Sequence, residues 1–340
     1  MVDKKQFESL HTHTSISDGT FNHLDILNMC PQYNIGTVAF TDHDILPDKK
    51  ILRILEQNRD HKTKWIIGCE FSSALPKELA KNEQHSLHIL GLFLDPHNKD
   101  LIAYSDTLLA NRVSRLKEKI KNLKNLGFDI DLKDCKISGS KVLGLPHLVK
   151  ALSLKEVNMK IIDLWIKKMA QESINNLIIK KKYNKLLQEK REQYPYTFLK
   201  DTIYEKKDST KNSPLLDLDN VVRLIRGAGG IASIAHWIFS KETLSLTTIE
   251  KLFKENRLDG GEIVFGFGNG RNANKETMID MRLMRNLIIK HNKIPTGGPD
   301  MHLEEDFNYF SGQKSLAKKT IGLTQNIINK TDVDIRFSSL

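Results

Sequence analysis

Phe7-Glu8-Ser9-Leu10-His11-Thr12-His13 is a short apolar run that ends in a His-x-His. Side chains alternate across a strand, so both imidazoles point to one face and form half of a metal site. Ser17-Asp18-Gly19-Thr20 then supplies a carboxylate five residues beyond His13, on a glycine turn able to bend it back toward the pair. The same pattern recurs along the chain. Gly36-Thr37-Val38-Ala39-Phe40 runs into Thr41-Asp42-His43-Asp44, Trp65-Ile66-Ile67 into Gly68-Cys69-Glu70, and a fourth run around His85 to Leu94 carries His88. Farther on, Gly230–Ala235 delivers His236, and Thr296-Gly297-Gly298-Pro299 delivers Asp300-Met301-His302. Glu262-Ile263-Val264-Phe265 reads as a strand that begins, rather than ends, with its carboxylate. Parallel α/β sheets and barrels gather their chemistry at the carboxyl ends of strands, where the loops converge on one mouth.

The 340 residues carry 52 Lys and Arg against 42 Asp and Glu, a formal charge of +10. Residues 111–210 alone hold 23 basic and 12 acidic residues, so the excess is local. The pattern changes at the same place: from Leu101 to about Tyr204 the apolar spacing is helical, with Leu109, Val113, Leu116, Ile120 and Leu123 before Gly127 and a second long helix expected over Trp165–Leu187. Strand-like runs then resume, between helices expected over Leu216–Arg226 and Lys275–His291. The expected organisation is one α/β domain in two segments, 1–100 and 216–340, with a basic helical insertion at 101–215. The insertion suits attraction of a polyanion such as nucleic acid or, equally, a solvated helical face. Hydrophobic content of 39% and the absence of an 18-residue apolar run exclude a membrane-spanning helix. Three cysteines without a Cys-x-x-Cys pair exclude a disulfide framework and a thiolate zinc site, and with no leader-like start a cytoplasmic setting is expected.

A donor set of imidazoles and carboxylates suits Zn²⁺, Mn²⁺ or Fe²⁺. It is too large for one ion. Two or three ions, with Glu70 as a natural bridge, would suit phosphoester hydrolysis, in which clustered divalent ions serve both the nucleophile and the phosphate oxygens.

In their order along the chain, His11-Thr12-His13-Thr14 with Ser17-Asp18-Gly19-Thr20, Thr41-Asp42-His43-Asp44, Gly68-Cys69-Glu70, His88-Ile89-Leu90-Gly91, Ala235-His236 and Asp300-Met301-His302 closely resemble the motifs of the PHP (polymerase and histidinol phosphatase) metallophosphoesterases. The resemblance spans residues 7–97 and about 216–303. It implies a distorted (β/α)₇ TIM-like barrel with up to three ions at the carboxyl ends of its strands. It further implies one ion on His11, His13, Glu70 and Asp300, the residues expected to serve catalysis, a second on Glu70, His88 and His236, and a third on Asp18, His43 and His302. Asp18 and the helical insertion look most like the branch of nucleotide phosphatases and 5′ to 3′ exoribonucleases. In that branch an Arg usually stands two residues before an insertion histidine, whereas Gly144-Leu145-Pro146-His147 has Leu145 there. Pro299 replaces the usual Ser and Trp237 the usual Pro. His147 and Asp44 are the expected substrate contacts, and a nucleotide or nucleic-acid end the expected substrate. A histidinol-phosphate-type phosphatase and a non-catalytic nucleic-acid-binding protein with a structural metal cluster are the alternatives.

Overall fold

The structure, a computed structural model, describes residues 5–75, 78–79, 86–136, 141–204, 215–241, 244–268, 270–271 and 273–340. The chain divides into two compact units, Met1–Leu108 with Pro214–Leu340, and Leu109–Ser213.

The first unit is built on a seven-stranded mixed sheet whose strands lie side by side in chain order. They are β1 (Phe7–Thr12), β2 (Ile35–Phe40), β3 (Lys64–Ala74), β4 (Ser86–Leu92), β5 (Ile231–Ile234), β6 (Gly260–Glu262) and β7 (Ile294–Thr296). All neighbours are parallel except β4, which runs antiparallel to both β3 and β5. The strands are apolar on both sides, with Leu10, Val38, Ile66, Ile67, Ile89 and Ile234 buried, as expected for a sheet covered by helices. Amphipathic helices supply that cover. Leu218–Gly227 buries Leu218, Val221, Val222 and Ile225, and Asp217 caps it by accepting from the Asn220 N–H. Lys275–Lys290 buries Met281, Met284, Leu287 and Ile288 under a cap from Asn274.

The sheet is curled, and the segment that follows β7 returns to β1. Leu10 N–H donates to the Gly297 carbonyl at 3.1 Å, and His13 N–H to that of Met301 at 2.8 Å. This approach needs glycine: a Cβ on Gly298 would lie 2.8 Å from the His11 nitrogen.

Two expectations about the elements are corrected. The strand expected to end at Glu70 continues to Ala74, because its outer half pairs with antiparallel β4. The helix expected over Trp165–Leu187 is two helices, Glu156–Glu172 and Leu177–Leu186, the second capped by the Asn176 side chain. The second unit is helical around its own core, which includes Leu123, Ile130, Leu148, Met159, Ile162 and Leu199, with Trp165 packed edge-on against Phe198 at 5.3 Å. Among the described residues no helix is long and apolar enough to cross a membrane.

Candidate metal centre

Strand direction decides which residues meet. His11 lies at the end of β1 with His13 just beyond it, while His236 follows β5 and Asp300 follows β7. His88 sits near the start of β4, and because β4 is antiparallel, that start lies at the same end of the sheet as the finishes of the others. Glu70 reaches the centre from within β3, where its N–H donates to the Asp42 carbonyl at 3.1 Å.

Four donor atoms converge at the centre. His11 Nε2 and His13 Nε2 are 3.2 Å apart. Glu70 Oε2 lies 3.5 and 3.3 Å from them, and Asp300 Oδ1 3.4 and 3.2 Å. Each of these five spacings is of the length that separates neighbouring ligands about 2.0–2.2 Å from an ion, and His11, His13 and Glu70 lie mutually close enough to share one. The other Glu70 oxygen, Oε1, lies 2.9 Å from His88 Nδ1 and 2.8 Å from His236 Nε2. A third group forms around Asp18, with His302 Nε2 at 3.4 Å, His43 Nε2 at 3.7 Å and His13 Nδ1 at 3.7 Å. The expected ligand residues are therefore all brought together, and the third group also takes in His13.

Several of these buried atoms have no hydrogen-bond partner although nitrogen and oxygen atoms crowd around them: Glu70 Oε2, Asp18 Oδ1 and His13 Nδ1. Buried nitrogen and oxygen atoms crowded together without a satisfying hydrogen bond are a donor set that fits cations.

The charges agree. Burial opposes ionisation of His11 and His13, yet Glu262, Asp300 and Glu70 hold His11 well above the ordinary imidazole value, and Asp300 and Glu70 lift His13 to about 10. Burial likewise opposes the Glu70 and Asp18 carboxylates, but His88, His43 and His11 hold Glu70 well below its usual range, and His302 and His43 do so for Asp18. His43 is the exception, lowered chiefly by its burial. Divalent ions would enter by replacing protons on these imidazoles.

Outer residues fix the ligands. Asp42 accepts from Thr14 N–H at 2.8 Å, Thr14 hydroxyl at 2.9 Å and Ser17 hydroxyl at 2.5 Å, and so clamps the turn that carries His13 and Asp18. Asp306 accepts from the His302 and Gly270 N–H groups at 2.8 and 2.7 Å. Two of the candidate ligands carry backbone strain, His236 with φ +21° and Asp300 with φ +58°.

Glu262, expected to open its strand, ends β6 instead and is 1% exposed. Its Oε1 lies 3.1 Å from His11 Nδ1, and its Oε2 accepts from His236 N–H at 2.5 Å. A carboxylate behind a ligand imidazole fixes its tautomer and raises its basicity. Glu262→Gln should lower metal affinity about 10- to 100-fold while leaving secondary structure intact. Unchanged affinity in a chelator competition titration would show that His11 needs no such support.

Asp44, expected to touch substrate, is 1% exposed, and its carboxylate accepts from Ser72 N–H at 2.6 Å and Ser72 hydroxyl at 2.9 Å. It anchors the outer half of β3. His147 lies in the second unit, in the first turn of the helix Leu145–Ser153, where its Nδ1 accepts from Gly144 N–H at 3.3 Å.

The PHP domain family model matches residues 9–199, and the chain belongs to that family. The matched stretch holds His11, His13, Asp18, His43, Glu70 and His88; the fold brings His236, Asp300 and His302 to the same centre. Among curated proteins, the chain is 30% identical over 97 residues to the 5′-3′ exoribonuclease Rnm of Salmonella typhimurium, covering 28% of this chain and 31% of that one. It is 26% identical over 148 residues to a phosphoribosyl 1,2-cyclic phosphate 1,2-diphosphodiesterase of Eggerthella lenta, covering 43% and 54%. The matches thus span about a third to a half of the length of these relatives. Among solved structures, a proposed metal-dependent phosphoesterase from Bifidobacterium adolescentis superposes with a TM-score of 0.60 at 20% identity, covering 88% of this chain and 89% of that one. An amidohydrolase from Chromobacterium violaceum gives 0.53 at 17% identity, covering 87% of each.

Proposed function

We propose that this chain is a metal-dependent phosphoesterase that hydrolyses phosphate esters of nucleotides or nucleic-acid ends. The carrying observation is Glu70, a fully buried carboxylate with each oxygen turned to a separate group of imidazoles. Two or three divalent ions are proposed, on His11, His13, Glu70 and Asp300, on Glu70, His88 and His236, and on Asp18, His43 and His302. Such ions, when bound, lower the pKa of water and neutralise phosphate oxygens. The protein's own part is to hold these donors in register, with Glu262 behind His11 and Asp42 behind the His13–Asp18 turn. The hydrogen bonds between β1 and the segment after β7 support reading the sheet as a distorted (β/α)₇ barrel. The Salmonella relative, a 5′-3′ exoribonuclease, supports a nucleic-acid end as substrate.

The test is hydrolysis of mononucleotides, nucleoside bisphosphates, histidinol phosphate and 5′-phosphorylated RNA. Chelator should abolish activity and Mn²⁺ restore it better than Mg²⁺, since Mg²⁺ prefers all-oxygen sites. Full activity in chelator would overturn the reading, and a preference for histidinol phosphate would move the chain to another substrate class.

The second unit offers a separate measurement. Lys180 and Lys181 are exposed, and Lys182 reaches Asp201 at 3.7 Å. Neutralising these three with Arg112 and Arg115 should raise KM for RNA and reduce the slope of log affinity against log salt by about 0.7 per lost contact. Mononucleotide hydrolysis should hold. Equal effects on both substrates would make this basic surface merely solvated.

A further inference from the structure

Phe239 is a large aromatic side chain left 54% exposed beside the ligand histidines. It ends the short turn Trp237–Phe239 that follows His236, and its ring centroid lies 5.3 Å from that of His236. On the ring sits Arg271, with its guanidinium carbon 5.1 Å from the centroid. Arg271 is exposed, and among the described residues no carboxylate pairs with it.

Both arms are held at the centre. Phe239 N–H donates to the His236 carbonyl at 3.0 Å. The segment bearing Arg271 lies against Asp300, since a Cβ on Gly268 would come within 2.5 Å of the Asp300 carbonyl and 2.7 Å of its Oδ2. Gly270 N–H donates to Asp306, and Arg271 N–H to the Phe267 carbonyl at 3.1 Å. A ring and a guanidinium are thus presented in contact with each other, one element next to His236 and the other next to Asp300. A phenylalanine half in water adds little to the core, and an arginine laid on it is a poor use of a cation in structural terms. As a binding surface the pair is apt: every nucleobase has a π face, and both aromatic rings and guanidinium planes stack bases.

We propose that Phe239 and Arg271 form a stacking platform for the base of a nucleoside phosphate whose phosphate group lies at the Glu70 centre. The inference rests on the phosphoesterase reading and adds what that centre alone does not supply, a preference for substrates that carry a base. Stacking tolerates all bases, so the platform selects nucleosides over sugar phosphates without choosing among sequences.

The metal-loaded full-length chain is assayed on adenosine monophosphate, uridine monophosphate and ribose 5-phosphate. Phe239→Ala should raise KM for both nucleotides about tenfold to a hundredfold and leave ribose 5-phosphate unchanged, with Phe239→Trp restoring the preference. Arg271→Ala should move the same way by less. Calorimetric titration of the metal-free chain should show the same loss for the nucleotides alone. Thermal unfolding should stay at the parent temperature, because the ring is exposed. Hydrolysis or binding altered equally on all three substrates, or on none, overturns the platform and leaves the phosphoesterase reading standing. A parent that cleaves no phosphoester under any divalent ion overturns both.

Discussion

Replacing Glu70 with alanine should empty the centre of metal and reduce phosphoester hydrolysis by more than the roughly 10- to 100-fold that changes behind a ligand produce. One oxygen faces His11, His13 and His43, and the other faces His88 and His236. No other carboxylate there divides its two oxygens between groups in this way, so its loss removes an anion from two ligand groups at once. The metal-free protein should also suffer, because His11, His13 and His236 lose a carboxylate that stabilises their charge and holds their pKa up. That stabilisation belongs to a carboxylate with a depressed pKa. It is present at neutral pH and above, and fades as acid protonates the group, so parent and variant should converge in stability at low pH. Elemental analysis and turnover of Glu70→Ala and Glu70→Gln measure the effect; near-parental metal content and rate in both would contradict the bridging role.

Asp42→Ala should produce the second large loss, in stability as well as activity. Its carboxylate receives three donors from Thr14 and Ser17, all buried. Removing the acceptor strands those donors at about 1–3 kcal/mol for each left unsatisfied, or roughly 2–6 kcal/mol if water reaches one of them. In a unit of this size that corresponds to a fall of about 4–24 °C in unfolding temperature. The turn bearing His13 and Asp18 would then lose its clamp. Asp42→Asn, which keeps the shape and one acceptor oxygen, should recover part of the stability. Equal unfolding temperatures for the parent and the alanine variant would show that the donors find other partners.

How much of this was readable in the residues depends on direction and register. His11 and His13 were legible because a period of two needs no knowledge of the neighbouring strand. Glu262 was misplaced because Gly260 and Gly261 look like a turn; in the fold they are strand residues, since a Cβ on Gly260 would lie 2.1 Å from the Ile294 carbonyl and β7 could not approach. His88 was recognisable by type, but no tight-turn signal between β3 and β4 announces that β4 runs backward. Asp44 resembled a site residue because it follows Asp42 and His43, yet its left-handed backbone, φ +55°, accompanies a carboxylate bonded to Ser72. Phe239 and Arg271 lie 32 positions apart on different loops, and neither carries a pattern that would pair them.

Glu70 is held within β3, paired with Leu90 of β4 on one side and bridged to His43, in the segment after β2, on the other. Asp18 hangs on a turn. A donor inside a ladder cannot follow a departing cation or widen for a larger one, whereas a donor on a turn can do both. Residence time should therefore be graded across the centre: cations touching Glu70 exchange slowly and discriminate by radius, and the cation at Asp18 exchanges fast and accepts substitutes. Isotope exchange would resolve this as two kinetic phases within one chain.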